Sequence, residues 1–354
     1  MKTWIGLIIA DKQVAGVVDT LLKVNDITQV VGRYTSADEA VEDLGTKGTV
    51  VIVLELDDDY RRSLTQLKRV QLFGPYAVLG VGDGRVVSPI LFDAFRLGML
   101  DFISIGSEDI GSPTDALFRD FSQSVESLAT ADLSRLSRAR LSPVTEKGSG
   151  ARSEAEYFIA LGVPRGGVSQ AIRLLGALPL QEDAAVFVSL PLPSDLIDSF
   201  ATQLDVYTGW SVNRFLPDER ITGGTCYLIA SDDHFDIGGE GDRSFIRSEH
   251  SVSEWPIDDM MRRLARGFGP QVVGVLLEGM GDDGADGLIT IRRHSGTSIS
   301  LSRDGSILNP APARADDEGA LDMRVDRDDL EKTLSYILTQ LMDLSHLNSM
   351  SVHI

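Results

Sequence analysis

Residues 271–289 read QVVGVLLEGMGDDGADGLI. The apolar, β-branched run at 272–277 predicts a short strand. Gly279, Gly281 and Gly284 punctuate a turn, and helical spacing resumes after it. Asp282, Asp283 and Asp286 stand where that turn meets the helix. In an open parallel sheet, sites form in the crevice outside the carboxyl ends of the strands. The loop of Gly279, Met280, Gly281 and Gly284 with Asp283 is therefore the first candidate site. By letter the three glycines fit a dinucleotide fingerprint. The three carboxylates oppose it, because a pyrophosphate needs a positive helix N-terminus. The other glycine-rich turn, 162–167, lacks the full pattern. A nucleotide-binding regulator is the weakest of the readings carried forward.

Two α/β units must position this loop. In the first, strands are expected at 4–10, 30–34, 50–56, 77–81 and 102–105. Helices are expected at 14–23, 37–44, 64–72, 89–97 and 115–128. Five such repeats make a five-stranded parallel, flavodoxin-like sheet over residues 1–130. Acids gather at its carboxyl edge: Asp11 after the first strand, Glu55 and 57–59 after the third. Residues 131–154 are rich in Ser, Arg, Gly and Glu and read as a linker. A doubly wound α/β unit is expected over 155–345. Its strands fall at 157–161, 185–189, 212–215, 225–229, 272–277 and 297–301, and its helices include 258–268 and 328–341. Residues 346–354 read as a frayed tail.

Composition narrows the chemistry. The chain of 354 residues carries 53 acids against 33 bases, a net charge of −20. Such a field repels phosphate backbones, so no nucleic-acid partner is expected. No apolar run approaches the length that spans a bilayer, and the N-terminal one ends too early for a secretory signal, so membrane insertion is not expected and the location reads as cytoplasmic. One cysteine, Cys226, excludes an internal disulfide and cysteine metal clusters. The five histidines show no paired spacing suited to zinc, so neither metal nor cofactor is expected.

The first unit resembles a response-regulator receiver domain. That resemblance implies an acid pair after strand one to hold Mg²⁺, an acceptor Asp after strand three, a Ser or Thr after strand four and a Lys after strand five. Here Asp11 keeps one place of the acid pair and Ala10 fills the other. The acceptor place falls on Glu55, the Ser/Thr place on Val81 or Gly82, and the Lys place on Ile105. A slipped register would bring Asp57 into the acceptor role. The expectation is a degenerate receiver that is not phosphorylated.

The whole chain resembles the chemotaxis protein-glutamate methylesterases of the CheB type: receiver, linker and catalytic domain in that order. GMGDDGADGL is similar to the family's Gly-Met-Gly-Asn-Asp-Gly-Ala loop. LGVPRGGVSQAIRLLGALP has the frame of its nucleophile turn and helix, and DERITGGTCYLIASDDH is similar to a further family stretch, with Asp258 before the helix that precedes the loop. The resemblance implies hydrolysis of receptor γ-glutamyl methyl esters by a Ser-His-Asp triad. Carried over residue by residue, the aspartate is Asp283, the serine place is Pro164, and the residue after it is Arg165. The histidine place is Leu190, or Pro191 if the loop is shifted by one residue. Proline has no nucleophilic atom and also removes a backbone N–H where the oxyanion would be held. Ser169, Ser189, His234 and His294 are the residues from which a replacement pair would have to be drawn. The alternative role for Asp283 is an N-terminal helix cap.

The expected function is that of a chemosensory signalling protein with a catalytically impaired methylesterase architecture, acting by binding a chemoreceptor, a histidine kinase or an active methylesterase. The alternative is a divergent methylesterase or deamidase with another nucleophile.

Overall fold

The computed structural model describes residues 3–23, 28–44, 50–136, 139, 141–145, 147, 153–216, 219–233, 235–237, 245–247 and 253–351. The chain divides into two compact units. One comprises Met1–Arg140 with Arg165–Ser169, the other Leu141–Pro164 with Gln170–Ile354.

In the first unit β1 (Thr3–Ile8), α1 (Lys12–Lys23), β2 (Thr28–Tyr34), α2 (Ala37–Leu44) and β3 (Val50–Glu55) are followed by α3 (Tyr60–Phe73), β4 (Ala77–Gly82), α4 (Gly84–Arg96), β5 (Asp101–Ser104) and α5 (Asp115–Leu128). The strands pair in parallel in the order β2-β1-β3-β4-β5. The first five residues of β3 and all of β4 are buried, as an unbroken apolar run in a two-sided sheet requires. Side-chain caps set the helix starts: Asp59 accepts from the Arg62 amide, Asp83 from that of Arg85, and Thr114 from that of Leu117. A start at Pro89 was the natural expectation for α4. The Asp83 cap moves it to Gly84 and leaves the proline inside, held by the buried Val87, Ile90 and Leu91.

The second unit contains β6 (Tyr157–Gly162), α6 (Val168–Ala177), β7 (Ala184–Ser189), α7 (Ser194–Asp205), β8 (Ser211–Arg214), β9 (Thr225–Ile229), β10 (Phe235–Ile237) and β11 (Phe245–Arg247). These are followed by α8 (Pro256–Phe268), β12 (Val272–Leu276), α9 (Ala285–Arg293), β13 (Thr297–Leu301), α10 (Pro310–Asp317), β14 (Met323–Val325) and α11 (Leu330–Ser351). Seven strands pair in parallel in the order β14-β13-β12-β6-β7-β9-β8, and β10 and β11 form an antiparallel pair. The order runs outward in both directions from β6, so the topological switch point lies at the carboxyl end of that strand. The core packs α8 against the sheet: Met260, Met261, Leu264 and Phe268 are buried, and the Phe268 ring stacks on Phe158 of β6 at 3.8 Å between centroids. The closing helix runs past the expected stop at Leu341 as far as Ser351. No Gly or Pro interrupts that stretch, so nothing local ends it.

Both units are thus α/β with parallel sheets, as the alternation of apolar runs and helical patterns implies. Among the described residues no helix is long and apolar enough to cross a membrane.

Candidate functional site

Register places the candidate residues of the second unit on one edge. At the end of β6, Gly162 pairs with Ser189 of β7 on one side and with Leu276 of β12 on the other. Beyond the strands, the Val163 amide donates to the Ser189 carbonyl (3.1 Å), the Leu277 amide to the Gly162 carbonyl (3.0 Å) and the Leu190 amide to the Ile229 carbonyl (2.9 Å). Pro164, Leu190 and the loop from Glu278 to Gly284 therefore leave three adjacent strands at the switch point, where a doubly wound sheet puts its site. Pro164 is buried, and Leu190 is 2% exposed. Neither carries an atom that attacks a carbonyl or relays a proton.

The loop is shaped by its glycines. Gly284 holds φ at 111°, and a Cβ there would lie 2.6 Å from Leu276 Cδ1. Only glycine accepts both the left-handed backbone and that approach. Gly284→Ala is expected to destabilise this unit by about 2–3 kcal/mol, the usual scale of such strain. Thermal unfolding of the full chain checks this, and an unchanged transition would contradict it.

Among the described residues, Asp283 has no imidazole partner. Its carboxylate oxygens accept from the amides of Ile257 (2.8 Å) and Asp258 (2.9 Å), in the first turn of α8. Asp258 returns the arrangement: its Oδ1 accepts from the amides of Gly284 (3.1 Å) and Gly287 (2.6 Å) at the start of α9. Each aspartate thus caps the other's helix and satisfies amides that a helix start leaves unpaired. The cap expected of Asp283 is present, but on the neighbouring helix. The resemblance put Asp258 ahead of α8, whereas it lies inside its first turn. Arg262 lies beside the pair, 3.6 Å from Asp258, 3.0 Å from Asp259 and 3.7 Å from Asp286.

Burial pushes the Asp283 carboxyl up to about 7, with Asp258 and Asp259 adding to the rise and the two amides opposing it. Burial also raises Asp258. The folded chain therefore keeps a proton on Asp283 at pH values where the unfolded chain, with an ordinary value near 3.8, has lost it. This contribution to stability is fully present below that ordinary value and is lost as pH rises through about 7. Relative to Asp283→Asn, which does not titrate, the wild type is expected to lose on the order of 2 kcal/mol between pH 5 and pH 8. Urea unfolding of both proteins across that range checks it, and parallel pH profiles would contradict it.

The same geometry bears on the dinucleotide fingerprint. The amides of Gly284 and Gly287, which a pyrophosphate would use, already donate to Asp258.

Glu278 and Arg327 escaped the sequence reading. Glu278, 2% exposed, accepts from the Ile307 amide at 2.7 Å and pairs with Arg327, 8% exposed, at 3.4 Å. Its own amide donates to Gln170 Oε1 at 3.3 Å. A glutamate at a strand end reads as solvated, and its partner lies 49 residues on. No local signal could have joined them.

Three of the four candidate replacement groups lie among the described residues. Ser189 ends β7 and is buried. Ser169 lies buried on α6, and its hydroxyl has no hydrogen-bond partner among the described residues. His294 caps the far end of α9, its Nδ1 2.9 Å from the Thr290 carbonyl, at the opposite edge of the sheet from the loop. His234 lies outside the described residues.

In the first unit, Glu55 ends β3, and its Oε2 accepts from the amides of Ala10 (2.6 Å) and Asp11 (3.0 Å). Asp11 caps α1, its Oδ1 accepting from Gln13 (2.6 Å) and Val14 (3.0 Å). Val81 and Gly82 end β4. Ile105 follows β5, its amide donating to the Gly82 carbonyl at 2.8 Å. Asp57 lies beyond the end of β3, where it accepts from Ser63 Oγ (2.8 Å) and pairs with Arg62. Both acids of the expected receiver site are thus engaged by backbone amides. Among the described residues no group of three or more His, Cys, Asp or Glu side chains is arranged to hold a metal ion.

The CheB methylesterase family matches residues 159–334. A protein-glutamate methylesterase/protein-glutamine glutaminase of Caldanaerobacter subterraneus subsp. tengcongensis is 24% identical over 321 residues, covering 86% of this chain and 88% of that one. Protein-glutamate methylesterase/protein-glutamine glutaminase 2 of Cereibacter sphaeroides is 28% identical over 309 residues, covering 85% and 83%. Among solved structures, the Thermotoga maritima CheB methylesterase catalytic domain aligns with 52% of this chain and 100% of that one, at a TM-score of 0.47 and 20% identity. Through residues 159–334, the chain belongs to the CheB methylesterase family.

Proposed function

We propose that this chain is a chemosensory signalling protein that keeps the methylesterase architecture and acts by binding rather than by ester hydrolysis. The observation that carries the reading is the switch-point edge itself. Pro164 and Leu190 stand where the family resemblance puts the nucleophile and base, and the Asp283 carboxylate is held by two amides of α8. A triad acid has to be ionised and facing an imidazole to hold the imidazolium. Asp283, desolvated and pushed up to about 7, fits a structural cap better than that role. The engaged acids of the first unit support the same view, since a receiver that is not phosphorylated has no switch with which to gate an esterase.

The partners that fit are those of a methylesterase: a chemoreceptor, a histidine kinase, or an active enzyme of the same family. Cosedimentation of the full chain with receptor-bearing membranes, with and without kinase, tests this. Saturable binding is expected, and its absence with every such partner would overturn the reading. The competing reading, a divergent methylesterase or deamidase, needs a serine that a fluorophosphonate probe labels. Burial of Ser169 and Ser189 predicts no labelling.

A further inference from the structure

The chain is strongly acidic, yet α3, YRRSLTQLKRVQLF, contains no acid. Ser63, Leu67 and Val70 face inward and are buried. Arg61, Arg62, Thr65, Lys68, Arg69 and Leu72 are exposed, with the spacing i, i+1, i+4, i+7, i+8, i+11 that makes one helical face. Four bases thus share a stripe about 12 Å long. It ends on Leu72 and Phe73, 69% and 64% exposed, and Leu72 is the most exposed large apolar side chain among the described residues. A cleft of about 410 Å³ borders the stripe, lined by Arg61, Arg62, Thr65 and Arg69 together with Asp38 and Asp59.

Part of this charge is answered within the unit. Arg62 pairs with Asp57 and Arg69 with Asp38, and both arginine side chains remain about half exposed. Surface pairs of this kind exchange partners at little cost. Arg61 and Lys68 form no ion pair among the described residues. A merely solvated helix usually carries both signs at i, i+4 spacing, whereas this one carries a single sign and an apolar end.

We propose that the outward face of α3 is a docking surface for an acidic protein segment. Carboxylates of the segment meet Arg61, Arg62, Lys68 and Arg69, and an apolar side chain seats on Leu72 and Phe73. Charge complementarity selects the sign of the partner. The −20 total selects its size: a duplex or an anionic bilayer would also face the acidic remainder of the chain, whereas a short segment meets α3 alone. This surface is independent of whether the second unit hydrolyses esters.

The test uses the full chain and a fluorescein-labelled peptide with glutamates at helical i, i+3, i+4 and i+7 spacing followed by a Leu–Phe pair, read by fluorescence anisotropy. Saturable binding that weakens with added salt is expected. Arg61→Glu/Lys68→Glu is expected to weaken it at least roughly tenfold, the scale of charge reversal at a complementary contact. Arg61→Gln/Lys68→Gln and Leu72→Ser/Phe73→Ser lower it by less, and Arg119→Glu on α5 leaves it unchanged. Absence of saturable binding would overturn the proposal. So would equal loss in the Arg119 variant, tighter binding to phosphatidylglycerol vesicles than to the peptide, or self-association through α3 in sedimentation.

Discussion

Arg327→Ala is expected to destabilise the second unit by about 3–5 kcal/mol, because it removes an ion partner of the buried Glu278 carboxylate. Glu278 sits between β12 and the glycine loop. Through it the end of β12 is tied to Ile307, to Gln170 on α6, and to the segment after β14. A charge without its counterion at that depth lowers the barrier to opening the carboxyl edge of the sheet. Replacing both partners with uncharged side chains of similar volume, Glu278→Gln with Arg327→Met, is expected to cost less than either single change, since two desolvation penalties are removed together. Full-chain unfolding reads both units together, while the ion pair lies in the second alone. The better measurement is hydrogen exchange of the β6 and β12 amides, where protection falls in proportion to local stability. A loss below about 1 kcal/mol in Arg327→Ala would show that the pair is incidental.

The second large effect concerns rate. Removing the serine or histidine of a triad lowers kcat by about 10⁶-fold, and removing both costs little more, because the residues act as a unit. With Pro164 and Leu190 in those places, the chain is expected to cleave a glutamyl methyl ester slower than an active relative by a factor of that order. Pro164 adds a further loss, since a ring nitrogen without hydrogen cannot help hold the oxyanion. Restoring one group does not repair this. Pro164→Ser alone is expected to leave the rate unchanged, because Leu190, in the histidine place, has no ring nitrogen to take the hydroxyl proton.

Much of the scaffold could be read from local pattern. Strands 225–229 and 297–301 and helix 115–128 fall where apolar periodicity bounded by turn residues places them. The strand, loop and helix around Gly279–Gly284 were equally clear, because glycine at a positive φ has no substitute. What escaped was short or non-local. β14 is three residues long, too short for a period to show. The sequence PAPARADD that forms α10 shows no apolar period, although proline at the first helical position is a start signal. The exchange of caps between Asp258 and Asp283 joins residues 25 apart on facing helix starts, and only the packing of α8 on β6 brings those starts together.

The most direct test is methanol release from a methylated chemoreceptor by the purified full chain, run beside an active family methylesterase at equal concentration. The account predicts release indistinguishable from that of the receptor alone. Release within about tenfold of the active enzyme would contradict it, because no single lost triad member is compatible with so small a deficit.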